Sequence, residues 1–293
     1  MKLVDVLCIG YACWDLNFQI ARHPGPDEKI IAESLISEGG GPASNAAFCI
    51  NRIGGHAAFA GRFGNDTLGD AHINELEQAG VDVSCTLRSD TATPTSSIWV
   101  DSEGRRAVVY HRQAPEPLTF NFKHLRPACL LMDGFELEAS QQALKLFPNS
   151  PSVLDAGSLK DTTRMLCKEV SHIIASKAFA TAISQSENSN DWVQCLSTHS
   201  ASIAITCGNQ GVVWRDSNGH EGRIPVNQVS VVDTNAAGDI FHGAFALALS
   251  KGNSFHKSLL WANEVAALSV TKAGGRSSCP TKGEIPSLDN SQP

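Results

Sequence analysis

Short β-branched or apolar runs alternate with amphipathic stretches along most of the chain, and this alternation constrains the fold more than any other feature. The runs fall at 3–9, 56–61, 128–132, 152–155, 173–175, 203–206 and 212–215. Helical patterns fall at 42–53, 67–79, 140–145, 188–196, 238–250 and 254–271. Strands that alternate with helices build a parallel sheet covered on both faces, because each crossover must carry the chain back across the sheet. Gly54-Gly55, Gly80 and Gly252 follow helical patterns, where a left-handed residue commonly ends a helix. The predicted class is a doubly wound α/β fold with a mostly parallel central sheet.

Two regions break the alternation. Residues 14–20 and 29–37 read as extended with no helix between them, and 96–101 with 105–112 flank Ser102-Glu103-Gly104 as a hairpin. Such strands would either form a small sheet standing over a crevice as a lid or extend the main sheet. The polar end, 287–293, is expected to fray.

Composition narrows the partners. A chain of 293 residues with 42% hydrophobic and 18% charged residues has material for a large core and is not disordered. Its 23 basic and 30 acidic residues leave a net charge of −7, which argues against a nucleic-acid partner. The 9 cysteines are scattered, with no C-x-x-C pair, and read as reduced thiols of a cytoplasmic protein, most of them small core residues. Cys195 and His199, four apart, lack the further ligands a metal would need. The first ten residues read as a buried strand rather than a secretory leader. The apolar run 240–249 falls short of the ~20 residues that cross a bilayer, so no membrane role is expected.

Two segments carry chemistry. In Glu38-Gly39-Gly40-Gly41-Pro42-Ala43-Ser44-Asn45 the glycines let backbone approach a ligand, and Pro42 suits the first turn of a helix. Free N–H groups at that helix start would meet a polar ligand, with Asn45 as both donor and acceptor. Read structurally, the same segment is a tight strand-to-helix turn. In Val232-Asp233-Thr234-Asn235-Ala236-Ala237-Gly238-Asp239 small residues allow successive N–H groups to form an anion nest at a second helix start. Asp239 there is either a helix-start carboxylate favoured by the dipole or a base beside a bound phosphoryl group. A carboxylate that accepts a hydroxyl proton next to such a nest is what phosphoryl transfer requires.

These segments resemble the two signatures of the ribokinase-like, or PfkB, family of carbohydrate kinases. Asp233 to Asp239 match D-T-x-[GA]-A-G-D, while Gly40-Gly41, Asn45 and 61–69 match the N-terminal signature. The likeness runs from Ile9-Gly10…Asp15 to Gly275-Arg276-Ser277-Ser278-Cys279-Pro280. It implies one α/β domain over 1–293, with a β lid built from insertions at about 12–37 and 95–113. It implies an ATP-dependent kinase that phosphorylates a hydroxyl of a sugar, with Mg2+ on the nucleotide and, in some members, K+. Asp239 would be the general base, and the Ala236, Ala237 and Gly238 backbone the anion hole. Asp15, Gly40, Gly41 and Asn45 would hold the sugar. Thr206, Gly208, Gly211 and Asn263 would hold the nucleotide, and Asp233 and Asn235 the monovalent cation. Family members often dimerise through the lid, and the Ile30-Ile31…Leu35-Ile36 edge would suit that.

The chain departs from the family at 174–179, where Ser176 and Phe179 stand in place of the Asn and Glu of an N-x-x-E motif that helps organise magnesium. The glycine-rich starts look most similar to those of sulfofructose kinase and fructokinase-like members. Lys29 lies where that subgroup has a lid lysine, but Asp133-Gly134-Phe135 stands where its key arginine is expected, and Arg112 is the candidate replacement. Two other readings stay open. One is a nucleoside kinase of the same family, for which Phe135 and Trp14 would suit a base; the other is a catalytically weak, sugar-binding regulatory relative. His242 reads equally as a substrate-facing group or a structural histidine.

Overall fold

The computed structural model describes residues 1–113 and 118–288. From the N-terminus, β1 (Lys2–Ile9) leads to β2 (Cys13–Gln19), β3 (Ser34–Gly40), α1 (Pro42–Arg52), β4 (Ala57–Ala60), β5 (Arg62–Gly64), α2 (Thr67–Gln78) and β6 (Leu87–Ser89). Next come β7 (Thr95–Val100), β8 (Arg106–His111), β9 (Leu125–Met132), α3 (Leu137–Leu146), β10 (Ser152–Ala156), α4 (Asp161–Leu166) and β11 (His172–Ser176). The chain continues through α5 (Lys177–Ser184), α6 (Ser189–Ser197), β12 (Ser202–Thr206), β13 (Val212–Arg215), β14 (Glu221–Ile224), α7 (Ala237–Ser250) and α8 (Phe255–Ser269).

Eight strands form the main sheet in the order β14-β13-β12-β11-β10-β9-β1-β4. From β4 to β12 every neighbouring pair is parallel, and β13 and β14 add an antiparallel edge. The strands are apolar on both sides because both sides are covered. Val6 and Cys8 of β1 pack in one core with residues of α1, α7 and α8, whereas Leu7 and Ile9 pack in a second core with residues of α3, α5 and α6. The doubly wound α/β class is therefore observed.

The strands that break the alternation make a separate sheet of four, ordered β3-β2-β7-β8, which is the lid rather than an extension of the main sheet. Its first edge is shorter than the sequence suggests. Residues 29–33 lie in no strand, and β3 begins at Ser34 because its partner β2 runs out at Gln19, which pairs with Ser34. Short elements absent from the sequence reading are α4, α5, β14 and the parallel pair β5–β6. Asp66 is a helix-start residue, accepting the N–H of Gly69 at 2.8 Å and that of Thr93 at 2.7 Å. No helix among the described residues is long and apolar enough to cross a membrane. The fraying expected of 287–293 falls mostly outside the described residues.

Candidate active site

Parallel sheets place ligands outside the carboxyl ends of their strands, where the following loops converge. A cavity of about 420 Å³ lies there, between the lid and the loops that follow β1, β9 and β10. Lid residues Asp15, Ser96 and Ile98 line one wall, and Asn45, Asp133, Asp155 and Asp239 line the other. Asp15 stands on β2, so that wall belongs to the small sheet and the opposite one to the body.

Two helix starts meet at the floor. Gly41, at φ +99°, turns the chain from β3 into α1, and a side chain there would collide with the Tyr11 carbonyl. The absent side chain of Gly40 leaves room for the Asp15 carboxylate. Asn45, in the first turn of α1, donates to Asp239 at 2.7 Å and accepts from Arg276 Nε at 3.1 Å. Its amide orientation is thus set from both ends. At the second start Ala236 takes the left-handed conformation, φ 56°, and no side chain caps α7. The Ala237 N–H makes a long bond to the Thr234 carbonyl at 3.4 Å, the next N–H groups of the first turn are open to an acceptor, and the Cα of Gly238 faces free space.

Burial pushes the Asp239 carboxyl up to about 7, helped by the charge of Asp155 and opposed by the hydrogen bond from Asn45. Asp155 pairs with His242 at 3.1 Å, both buried. Burial alone would discharge His242, but the Asp155 carboxylate outweighs it and holds the imidazole above its usual range. His242 is thus a partner of a cavity carboxylate rather than a lining residue. Asp15 is raised by burial and accepts from the Cys13 thiol at 3.2 Å. Burial also lifts Asp133, to about 6, although it accepts N–H bonds from Tyr11 at 2.8 Å, Phe135 at 3.0 Å and Ala43 at 3.2 Å.

The other sequence-predicted residues lie at several places. Arg112 lines the cavity, whereas Lys29 is exposed and stands outside it. Thr206, Gly208, Gly211 and Asn263 share one end of the main sheet, away from the cavity lining. Thr206 pairs with Val212 and Val212 with Ile224, while Asn263 donates to the neighbouring Pro225 carbonyl at 3.0 Å. Gly208 is open to solvent, and Gly211 makes a tight turn that a side chain would block against the Ile224 carbonyl. Asp233 accepts the N–H groups of Asn235 and Gly274, both at 2.9 Å, which ties the loop before α7 to the chain after α8. Ser176, at the altered motif, caps α5 by accepting from Phe179 at 3.0 Å.

Sequence reasoning missed Tyr11, Asp155, Lys160 and Arg276. Arg276 is buried and carries the floor: it donates to Glu75 at 3.2 Å, Ser44 at 2.8 Å and the neutral His72 at 2.6 Å, besides Asn45. Gly275 and Ser277 beside it donate to Glu38 at 2.6 and 2.9 Å. The Gly274-Gly275 pair was the available signal, since such pairs often let backbone approach a carboxylate.

A family model for the pfkB family carbohydrate kinases matches residues 4–282, nearly the whole of this architecture. The chain belongs to that family. Members are phosphotransferases that act on an alcohol. The chain is 28% identical to a ribokinase of Bacillus subtilis (strain 168), with 97% of this chain and 99% of that protein covered. It is 27% identical to a fructokinase of Vibrio alginolyticus over 86% of this chain and 92% of that protein. A crystal structure of a putative ribokinase from Agrobacterium tumefaciens superposes with a TM-score of 0.86 at 28% identity, covering 97% of this chain and 96% of that one.

Proposed function

We propose that this carbohydrate kinase transfers the γ-phosphoryl group of ATP to a hydroxyl of a sugar or sugar derivative, with Asp239 as general base. The observation that carries this reading is the placement of Asp239. It is a buried carboxylate, oriented by Asn45, in the first turn of an uncapped helix that ends at a ligand-sized cavity.

In this reading Asp15 and Asn45 accept and donate hydrogen bonds to sugar hydroxyls, and the attacking hydroxyl gives its proton to Asp239. The backbone N–H groups of Ala236, Ala237 and Gly238 face the negative charge that gathers on the transferring phosphoryl. Thr206, Gly208, Gly211 and Asn263 hold the nucleotide on the open end of the sheet. Magnesium is read as part of the nucleotide substrate, where it neutralises the β and γ oxygens; among the described residues no three His, Cys, Asp or Glu side chains form a cage for it. A potassium ion beside Asp233 and Asn235 belongs to the same proposal. So do cytoplasmic location and a homodimer formed through the lid.

The test is the Asp239→Asn variant under saturating ATP and magnesium. It should lose ~10²–10⁴-fold in kcat while sugar affinity by calorimetry changes only a few-fold. Near-normal turnover would remove Asp239 from the role. A nucleoside acceptor is the second reading, favoured by the stack of Tyr11 on Phe135 at the cavity wall, centroids 4.4 Å apart. ADP release with ketoses, aldoses and nucleosides separates the two.

A further inference from the structure

One face of lid strand β2 carries a row of buried polar groups, Cys13, Asp15 and Asn17, at the alternate spacing that puts side chains on the same side. Asp15 lines the cavity. Asn17, next along the row, reaches the body. Its side-chain carbonyl accepts the Asn235 amide at 3.0 Å, a buried bond that spans 218 residues. Asn235 immediately precedes the left-handed Ala236 at the start of α7, and Asp233 accepts its backbone N–H at 2.9 Å. The same Asp233 accepts the N–H of Gly274, Gly275 donates to Glu38, and Glu38 on β3 stands directly opposite Asp15 on β2. A closed circuit of polar contacts thus runs from the lid, through the loop that starts α7, and back to the lid.

Asn17 is a poor choice for stability alone. Its cross-strand partners are Ile36 on β3 and Ile98 on β7, an apolar setting, and its amide nitrogen is buried with no hydrogen-bond partner among the described residues. One neutral hydrogen bond gains less than an orphaned buried donor costs, so a leucine of similar size would serve packing better there. What the amide supplies is direction. It fixes one side chain, Asn235, across the gap between the sheet that carries Asp15 and the turn whose N–H groups form the anion nest.

We infer that Asn17 is a positioning residue: through Asn235 it ties the orientation of the anion nest to the lid strand that grips the sugar, so that sugar and nucleotide raise each other's affinity. The inference rests on the sugar-kinase reading for which ligand lies at each end of the tie. Asn17 itself is not among the residues that line the cavity, whereas Asn235 is. A coupling free energy belongs to both sites, so each ligand must tighten the other by the same factor.

Calorimetry on the whole chain tests this with two probes. One is a nonhydrolysable β,γ-methylene analogue of ATP with magnesium; the other is the ketose or aldose that releases ADP fastest with ATP. Each is titrated alone and with the other at saturation. In the wild type the two tightening factors should agree, at about fivefold or more. In Asn17→Leu and Asn17→Ala the factor should fall toward one, while affinity for each ligand alone changes little. Asn235→Ala should remove the coupling from the other side, and adding Asn17→Leu to it should change the factor no further. Melting curves first establish that each variant is folded; the leucine variant controls for a cavity and the alanine variant for overpacking. A factor of one in the wild type overturns the inference, and so does a factor that survives both Asn17 substitutions. ADP release reports on the kinase reading separately. Turnover with an unmoved factor sinks this inference alone, whereas no turnover with any ketose or aldose sinks the sugar reading and this inference with it.

Discussion

At the scale of single residues, the proton on Asp239 links activity to stability. Its carboxyl sits at about 7 in the folded protein because burial and the Asp155 charge outweigh the Asn45 hydrogen bond, against ~3.9 for an unfolded aspartate. A base must be ionised, so kcat should fall on the acid side of a limb centred near pH 7, read from a pH–rate profile. The stability consequence has the opposite sense. A raised carboxyl contributes stability that is whole below about pH 4 and is lost as pH rises through about 7, because the unfolded chain releases the proton first. Asp239→Asn carries no such penalty. It should melt above the wild type at pH 8, with the difference vanishing toward pH 4 in calorimetric scans; an equal or lower melting temperature at pH 8 refutes the argument. Arg276 is the opposite case, a buried charge with several partners. Arg276→Leu leaves the buried His72 ring nitrogen and the Asn45 side-chain carbonyl without their donor, while the partly exposed Glu75 keeps the Gly39 N–H, and should cost about 1–3 kcal/mol in urea unfolding. A loss under 1 kcal/mol would mean that the network is slack.

At the scale of elements, α7 begins on a residue ill suited to its conformation. A left-handed alanine costs about 1–2 kcal/mol relative to right-handed backbone, and Ala236 is held there by the turn that opens the helix. Ala236→Gly should therefore raise stability by up to about 1 kcal/mol, part of the gain being returned through the freer unfolded chain. Activity should be retained, and a fall in unfolding midpoint would show that the alanine methyl packs usefully. This turn was legible in the sequence because it depends on neighbours alone, as did the Gly40-Gly41 turn and the apolar run of β1, whereas of β9 only the apolar second half, 128–132, could be read. Elements as short as α4 and β5 carry too few residues to show a period. The rest of the site was not legible for another reason. Tyr11 meets Asp133 across 122 residues and Arg276 meets Glu75 across 201, pairings that only the folded topology creates.

At the scale of the whole molecule, the lid sheet has two open edges. On β8 all six residues are exposed, and Val109 and Tyr110 are 65% and 62% accessible; beside β3, Ile31 is 94% accessible. Unpaired edges with apolar side chains seek partners. Light scattering should give a mass of twice 31.2 kDa, and the Val109→Lys/Ile31→Lys double variant should shift it toward the monomer. A monomeric wild type across micromolar concentrations would leave the lid edges without this role. The division of the cavity has its own consequence. Asp15 belongs to the small sheet and Asp239 to the body, and β3 runs through Gly41 directly into α1. A sugar gripped from both sides would act as a non-covalent rivet, adding to the ties the protein already has between the two bodies, among them the bonds from Gly275 and Ser277 to Glu38 of β3 and from Asn235 to Asn17 of β2. Occupancy of a site of a few hundred cubic ångströms would thus be felt as stiffness across the entire lid.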